Sequence, residues 1–156
     1  MAKKKDLQFT VIDNTKLVQE AEEYQIKQAL IAIGARVETH AKADYVPVDT
    51  GRLKNSITYA LAGGTAHKKK YKPNPGKVKG EDRYTKEYSG VVPEDKDGKV
   101  RSVYVGTNVE YAEIVENGTA GRSGVHYLRQ AVTNHMEEYR ALAKLALKGE
   151  ELPTNT

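Results

Sequence analysis

Val46-Pro47-Val48-Asp49-Thr50-Gly51-Arg52-Leu53-Lys54-Asn55-Ser56-Ile57 separates two different periodicities in this chain. Upstream, from about Lys16 to Lys42, there is no proline and Gly34 is the only breaker, which predicts a long helix. Pro47 ends that helix, Asp49 and Thr50 can hydrogen-bond the turn, and Gly51 can take the positive φ that redirects the chain. Downstream, Leu53, Asn55, Ile57, Tyr59 and Leu61 alternate with Arg52, Lys54, Ser56, Thr58 and Ala60. That alternation predicts a half-buried strand over 52–61, with Leu53 and Ile57 facing the core and Ser56 on the opposite face.

Outward from this turn, the long helix carries two apolar faces. Leu17, Ala21 and Tyr24 lie on one, and Ile26, Ala29, Leu30, Ile33 and Val37 on the other. At about 100° per residue these faces diverge. Either the helix breaks near Glu23–Gln25 or both faces are covered; the favoured arrangement places the sheet on the second and a neighbouring subunit on the first. Ahead of the helix, Leu7–Ile12 has strand composition, and Asp13-Asn14-Thr15 supplies capping side chains. The segment 62–99 is rich in Gly, Pro, Lys and Asp and predicts a long mobile loop or β-hairpin, with Lys96-Asp97-Gly98-Lys99 as a turn.

Val100–Val105 returns as a strand. Thr107-Asn108-Val109-Glu110 matches the capping-box pattern at the start of a short helix that Gly118 ends. Tyr111, Ile114 and Val115 form its expected buried stripe, with Glu110, Glu113 and Glu116 on the other side. After a Gly-rich loop at 120–125, Tyr127–Lys148 predicts a final helix ended by Gly149. The order β-α-β-β-α-α gives an α+β fold: a small, mainly antiparallel sheet packed against a long N-terminal helix, a short helix and a C-terminal helix. One domain is expected over 1–149, with 150–156 as a disordered tail.

Composition narrows the chemistry. The chain has 156 residues, no Cys, no Trp, one Phe and ten Tyr, so it holds no disulfide, thiolate nucleophile or sulfur-ligated metal. Met1-Ala2-Lys3-Lys4-Lys5-Asp6 is charged with no apolar h-region after it, so no signal peptide is expected, and no apolar run suits a bilayer. His40, His67, His126 and His135 are scattered with no i,i+4 pair among them. His135, on an apolar helix side, reads as a hydrogen-bonded core or interface histidine rather than a ligand. Ser123 lacks the full GxSxG pattern, and neither Gly-rich turn ends in the GK[ST] of a phosphate loop. Asp13, Asp44, Asp49, Glu110 and Glu116 show no spacing that gathers them around a metal. The reading is therefore a non-enzymatic protein with no cofactor.

Net charge is +4, and its distribution matters more than its total. Lys68, Lys69, Lys70, Lys72, Lys77 and Lys79, with His67 and no acidic residue, form a basic arm over 66–80. Three readings stay open for it: contact with nucleic-acid phosphate and base, a solvated loop, or a docking loop for an acidic partner. A nucleic-acid-binding protein using this arm is the alternative function. Glu110 and Glu113, with Glu116, form an acidic stripe that could pair with a basic patch on another subunit.

Pro47-Val48-Asp49-Thr50-Gly51-Arg52-Leu53-Lys54-Asn55-Ser56-Ile57 closely resembles the P-V-D-T-G-x-L-x-x-S-I signature of phage minor tail components of the gene-product-10-like group. Val105-Gly106-Thr107-Asn108-Val109-Glu110-Tyr111-Ala112, followed by Val115-Glu116-Asn117-Gly118-Thr119, resembles the group's V-G-x-N-x-x-Y-A-x-x-x-E-x-G-T segment. The likeness extends over about residues 16–146. One departure is Val125-His126-Tyr127-Leu128, where the group often carries Arg-Pro-Phe-Leu. The resemblance implies a tail-completion or head–tail joining protein of a phage or prophage virion, assembled in the bacterial cytoplasm. Its implied partners are tail-terminator and head-completion proteins and further copies of itself in a ring, with possible contact with packaged DNA and none with a membrane.

Overall fold

A computed structural model describes residues 13–47, 51–64, 92–107, 109 and 111–153. The expected strand at 7–12, Asp49, Thr50, the six lysines of the arm, Asn108 and Glu110 lie outside them. Helix α1 runs Thr15–His40 and continues into a π-helical turn, Ala41–Tyr45, closed by Val46 N donating to Ala41 O at 2.9 Å. Then follow α2 (Arg52–Ser56), β1 (Thr58–Leu61), β2 (Val103–Gly106), α3 (Ala112–Asn117), β3 (Gly118–Thr119), β4 (Arg122–Ser123), α4 (Tyr127–Thr133) and α5 (Met136–Leu147). The fold is α+β, as the sequence predicts.

Helix α1 starts where expected. The Asp13 carboxylate accepts hydrogen bonds from Thr15 N and Thr15 Oγ1, which hold its pKa below the usual carboxylate value. The helix then packs on the antiparallel β1–β2 pair and on α5. Gly34 does not break it. A Cβ there would stand 2.7 Å from Val103 Cγ2 and 2.8 Å from Tyr59 Cδ2, so glycine lets the sheet approach at the cost of about 1 kcal/mol in helix propensity. The core gathers Val37, Ala41 and Val46 with Leu53, Ile57, Val109, Ala112, Tyr127, Ala131, Tyr139 and Leu142. Ile57 and Tyr127 are its largest fully buried side chains, and burial of Ile57 contributes roughly 1.5–3 kcal/mol.

Four local expectations are corrected. The predicted strand 52–61 is a helix over 52–56, and only 58–61 is extended. Leu53 and Ile57 share a face in either conformation, because a spacing of four suits both periods. Asn55, which the strand reading places inward, is exposed. The predicted continuous helix 127–148 is two helices, interrupted at Asn134–His135. Asn134 Nδ2 donates to Tyr45 Oη and the His135 ring stacks on His40, so tertiary contacts set the break. The capping box does not start α3. Thr107 Oγ1 accepts Val109 N, and the helix begins at Ala112 after Tyr111, whose side chain makes no cap bond. Finally, Ile114 is 54% exposed, and Ala112 takes the buried position of that helix.

Other signals act as read. Gly149, at φ 70°, donates to Ala146 O while Glu150 N donates to Leu145 O, a Schellman closure of α5. Gly98, at φ 68°, makes the expected turn. The Asp95 carboxylate accepts Arg101 N and Ser102 Oγ there, and these bonds lower its pKa. The expected disordered tail does not hold at Leu152, which packs against the core.

Candidate functional site

The residues of the two signature segments converge on one another. Gly51, at φ 75°, is the N-cap of α2, a left-handed conformation that glycine adopts without strain. It swings Arg52 inward, where the side chain is buried with its guanidinium 5.6 Å from the Tyr111 ring centroid. Leu53 and Ile57 enter the core beside Val109 and Ala112. Ser56 Oγ donates to Leu53 O at 2.7 Å and bonds Thr107 Oγ1 at 2.5 Å, so the polar face of the first segment is tied to the second. Gly106 pairs with Thr58 across the β1–β2 ladder. Pro47 is exposed after buried Val46.

The end of the second segment is equally structural. The Glu116 carboxylate accepts Leu128 N at 2.9 Å and Arg129 N at 3.0 Å, so it caps the first turn of α4 rather than facing outward. A Cβ at Gly118 would lie 2.3 Å from Arg122 O, which leaves only glycine where β3 folds back on β4. Thr119 is exposed in that hairpin. His126 takes φ 55°, a left-handed value that the proline of the usual Arg-Pro-Phe-Leu cannot reach. The chain therefore enters α4 by its own route.

What the fold leaves open is the beginning of α1. Every residue from Thr15 to Glu22 is exposed, and Leu17, Val18 and Tyr24 stand 65%, 54% and 64% exposed. The opposite face is covered as expected, with Ala29, Gly34 and Val37 buried. Cover begins near Glu23, whose carboxylate pairs with Lys99 at 2.9 Å. Glu113 is exposed on α3. Gly63 N donates to Pro93 O and Val92 N to Gly64 O, so residues 63–64 and 92–93 lie side by side.

A second assembly of polar groups was not visible in the sequence. His40 at the end of α1, Asp44 and Tyr45 in the π turn, and His135 between α4 and α5 come together. The two imidazoles stack with centroids 3.5 Å apart and planes 11° apart. His40 bonds Asp44 through Nδ1 at 3.1 Å and Glu138 through Nε2 at 2.9 Å, while Tyr45 Oη meets His135 Nε2 at 3.2 Å. His40, Asp44 and Tyr45 are already close along the chain, but nothing in their spacing shows that His135 and Glu138, some ninety residues on, join them. No described helix is long and apolar enough to cross a membrane.

Neither a curated protein nor a solved structure matches the chain. Residues 12–118 match a family described as "Bacteriophage HK97-gp10, putative tail-component". That match spans most of the chain and contains both signature segments but for Thr119, and contacts between these segments build the centre of the fold; the chain belongs to the HK97-gp10-like family of bacteriophage tail components.

Proposed function

We propose that this protein is a structural component of a phage or prophage virion that works by assembly at the head–tail junction, as a tail-completion or joining protein, and not as an enzyme. Family membership supports the virion role. The observation that carries the assembly reading is the division of labour in the residues: Leu53, Ser56, Ile57, Ala112 and Glu116 of the signature are used in folding, whereas Leu17, Val18 and Tyr24 on α1 stay open to water. An apolar helix face with no partner among the described residues suits a subunit interface. Its partners would be further copies in a ring, with tail-terminator and head-completion proteins above and below. The insertion, anchored at Gly64 and Val92, adds the lysine-bearing arm as a further contact.

Electron microscopy of a lysate from a phage or prophage in which the gene is disrupted tests this reading. Filled heads beside unattached tails are the expected result. Intact, normal particles would overturn the joining role.

A further inference from the structure

We infer that His40, Asp44 and His135 form a binding site for a divalent transition-metal ion of the zinc type, bridging the end of α1 to the junction of α4 and α5. Each of the three offers one ligand atom, and these atoms all lie within 4.8 Å of one another. His40 Nδ1 and Asp44 Oδ2 are 3.1 Å apart. Two neighbouring ligands on bonds of about 2.1 Å to one zinc ion stand roughly 3.0–3.4 Å apart, so this pair already has the spacing of a chelate. Imidazole and carboxylate together suit zinc, cobalt or nickel, and the chain has no cysteine to draw in a thiophilic site.

The surroundings have the arrangement a metal-binding histidine needs. Ligation through Nδ1 of His40 requires its Nε2 to carry the proton, and Nε2 faces the Glu138 carboxylate at 2.9 Å. Glu138 is itself held by Arg36 Nε at 3.3 Å and stands 3.8 Å from His135 Nδ1. With those ring edges turned to Glu138, His40 Nδ1 and His135 Nε2 are turned toward Asp44 and Tyr45. If His135 Nε2 takes the metal, Tyr45 Oη still accepts from Asn134 Nδ2 at 3.1 Å, and its own O–H, on a half-buried side chain, turns to solvent. The π turn that places Asp44 and Tyr45 is a second, independent sign, since such widened turns are rare and concentrate at functional positions. Access is open: the Asp44 side chain is 47% exposed.

One movement is needed. The stacked rings, 11° from parallel, aim their lone pairs side by side, and closing on one ion splays them apart by rotation of the His135 ring. Because His135 sits in the non-helical joint between α4 and α5, it has room to turn without unwinding a helix. The bound ion would pin the end of α1 to that joint and keep its remaining positions for water.

The test uses the full, tag-free chain, titrated with zinc by calorimetry and with cobalt by its visible absorption. One-to-one saturable binding is expected, with a higher Tm in zinc. Asp44→Asn, at an exposed position, and His135→Asn should each weaken binding by about tenfold or more while far-ultraviolet circular dichroism stays native. His67→Gln should leave it unchanged. Absence of saturable binding to the folded chain, or binding that survives both Asp44→Asn and His135→Asn, would overturn the site.

Discussion

Glu116 shows how one residue's role depends on which way it turns. In the sequence it belongs to a run of glutamates every three positions and reads as surface charge. In the fold it is half-buried and receives two backbone N–H groups at the start of α4, which have no partner within that helix. Charge-assisted bonds of this kind are worth more than neutral ones. Glu116→Ala should therefore lower stability by about 1–3 kcal/mol, whereas Glu113→Ala, at an exposed position, should change it by no more than about 0.5 kcal/mol. Urea denaturation midpoints of the two variants decide this; equal shifts would contradict the capping role. Gly34 and Gly118 belong to the same scale: each is legible as glycine, yet only the approach of Val103 and of Arg122 O explains why no Cβ fits.

At the scale of elements, α1 is the frame on which the rest is hung. Its 26 residues span about 39 Å, and the sheet and α5 cover only the part beyond about Glu23. The first two turns thus depend on helix propensity and on whatever binds them, and short unsupported helical ends are marginal in water. Replacing Leu17 and Tyr24 together with Lys should leave the thermal stability of the isolated chain nearly unchanged, because neither side chain is buried. The same double variant should fail to restore infective particles in a gene-disrupted phage. Full complementation would remove this face from the assembly. The split apolar pattern of α1 was readable in advance; that the helix runs unbroken through Glu23–Gln25 with one face uncovered needed the structure.

For the molecule as a whole, two buried tyrosines of the C-terminal helices make stability depend on pH in the alkaline range. Burial, then the nearby Glu116 and Tyr111, pushes Tyr127 up to about 12. Burial, then Glu138, Tyr45 and Asp44, does the same to Tyr139, whose hydroxyl donates to Ala131 O. Both folded values lie above the unfolded value near 10, so the folded chain holds these protons more tightly. Their contribution is complete below about pH 10 and is lost as pH rises from there toward 12. Alkaline unfolding monitored by tyrosinate absorbance should be cooperative, with Tyr127→Phe moving its onset upward. Gradual, non-cooperative ionisation of all ten tyrosines would contradict it.

By itself the sequence determined the α+β class, the long first helix and its end before Pro47, the left-handed Gly51, the glycine closure of α5 and the likeness to a phage tail family. These rest on local chemistry: proline's missing N–H, glycine's freedom at positive φ, and apolar periodicity over many residues. Only the tertiary structure decided what local patterns leave degenerate. Leu53 and Ile57 satisfy a helix and a strand equally, and the structure has the helix, with Asn55 exposed and Ser56 Oγ bonded back to Leu53 O. Asn134 and His135 carry no breaker signal, and their contacts with Tyr45 and His40 divide α4 from α5. The histidine–carboxylate cluster has the same origin, since His135 and Glu138 reach His40, Asp44 and Tyr45 only when the ends of distant helices meet.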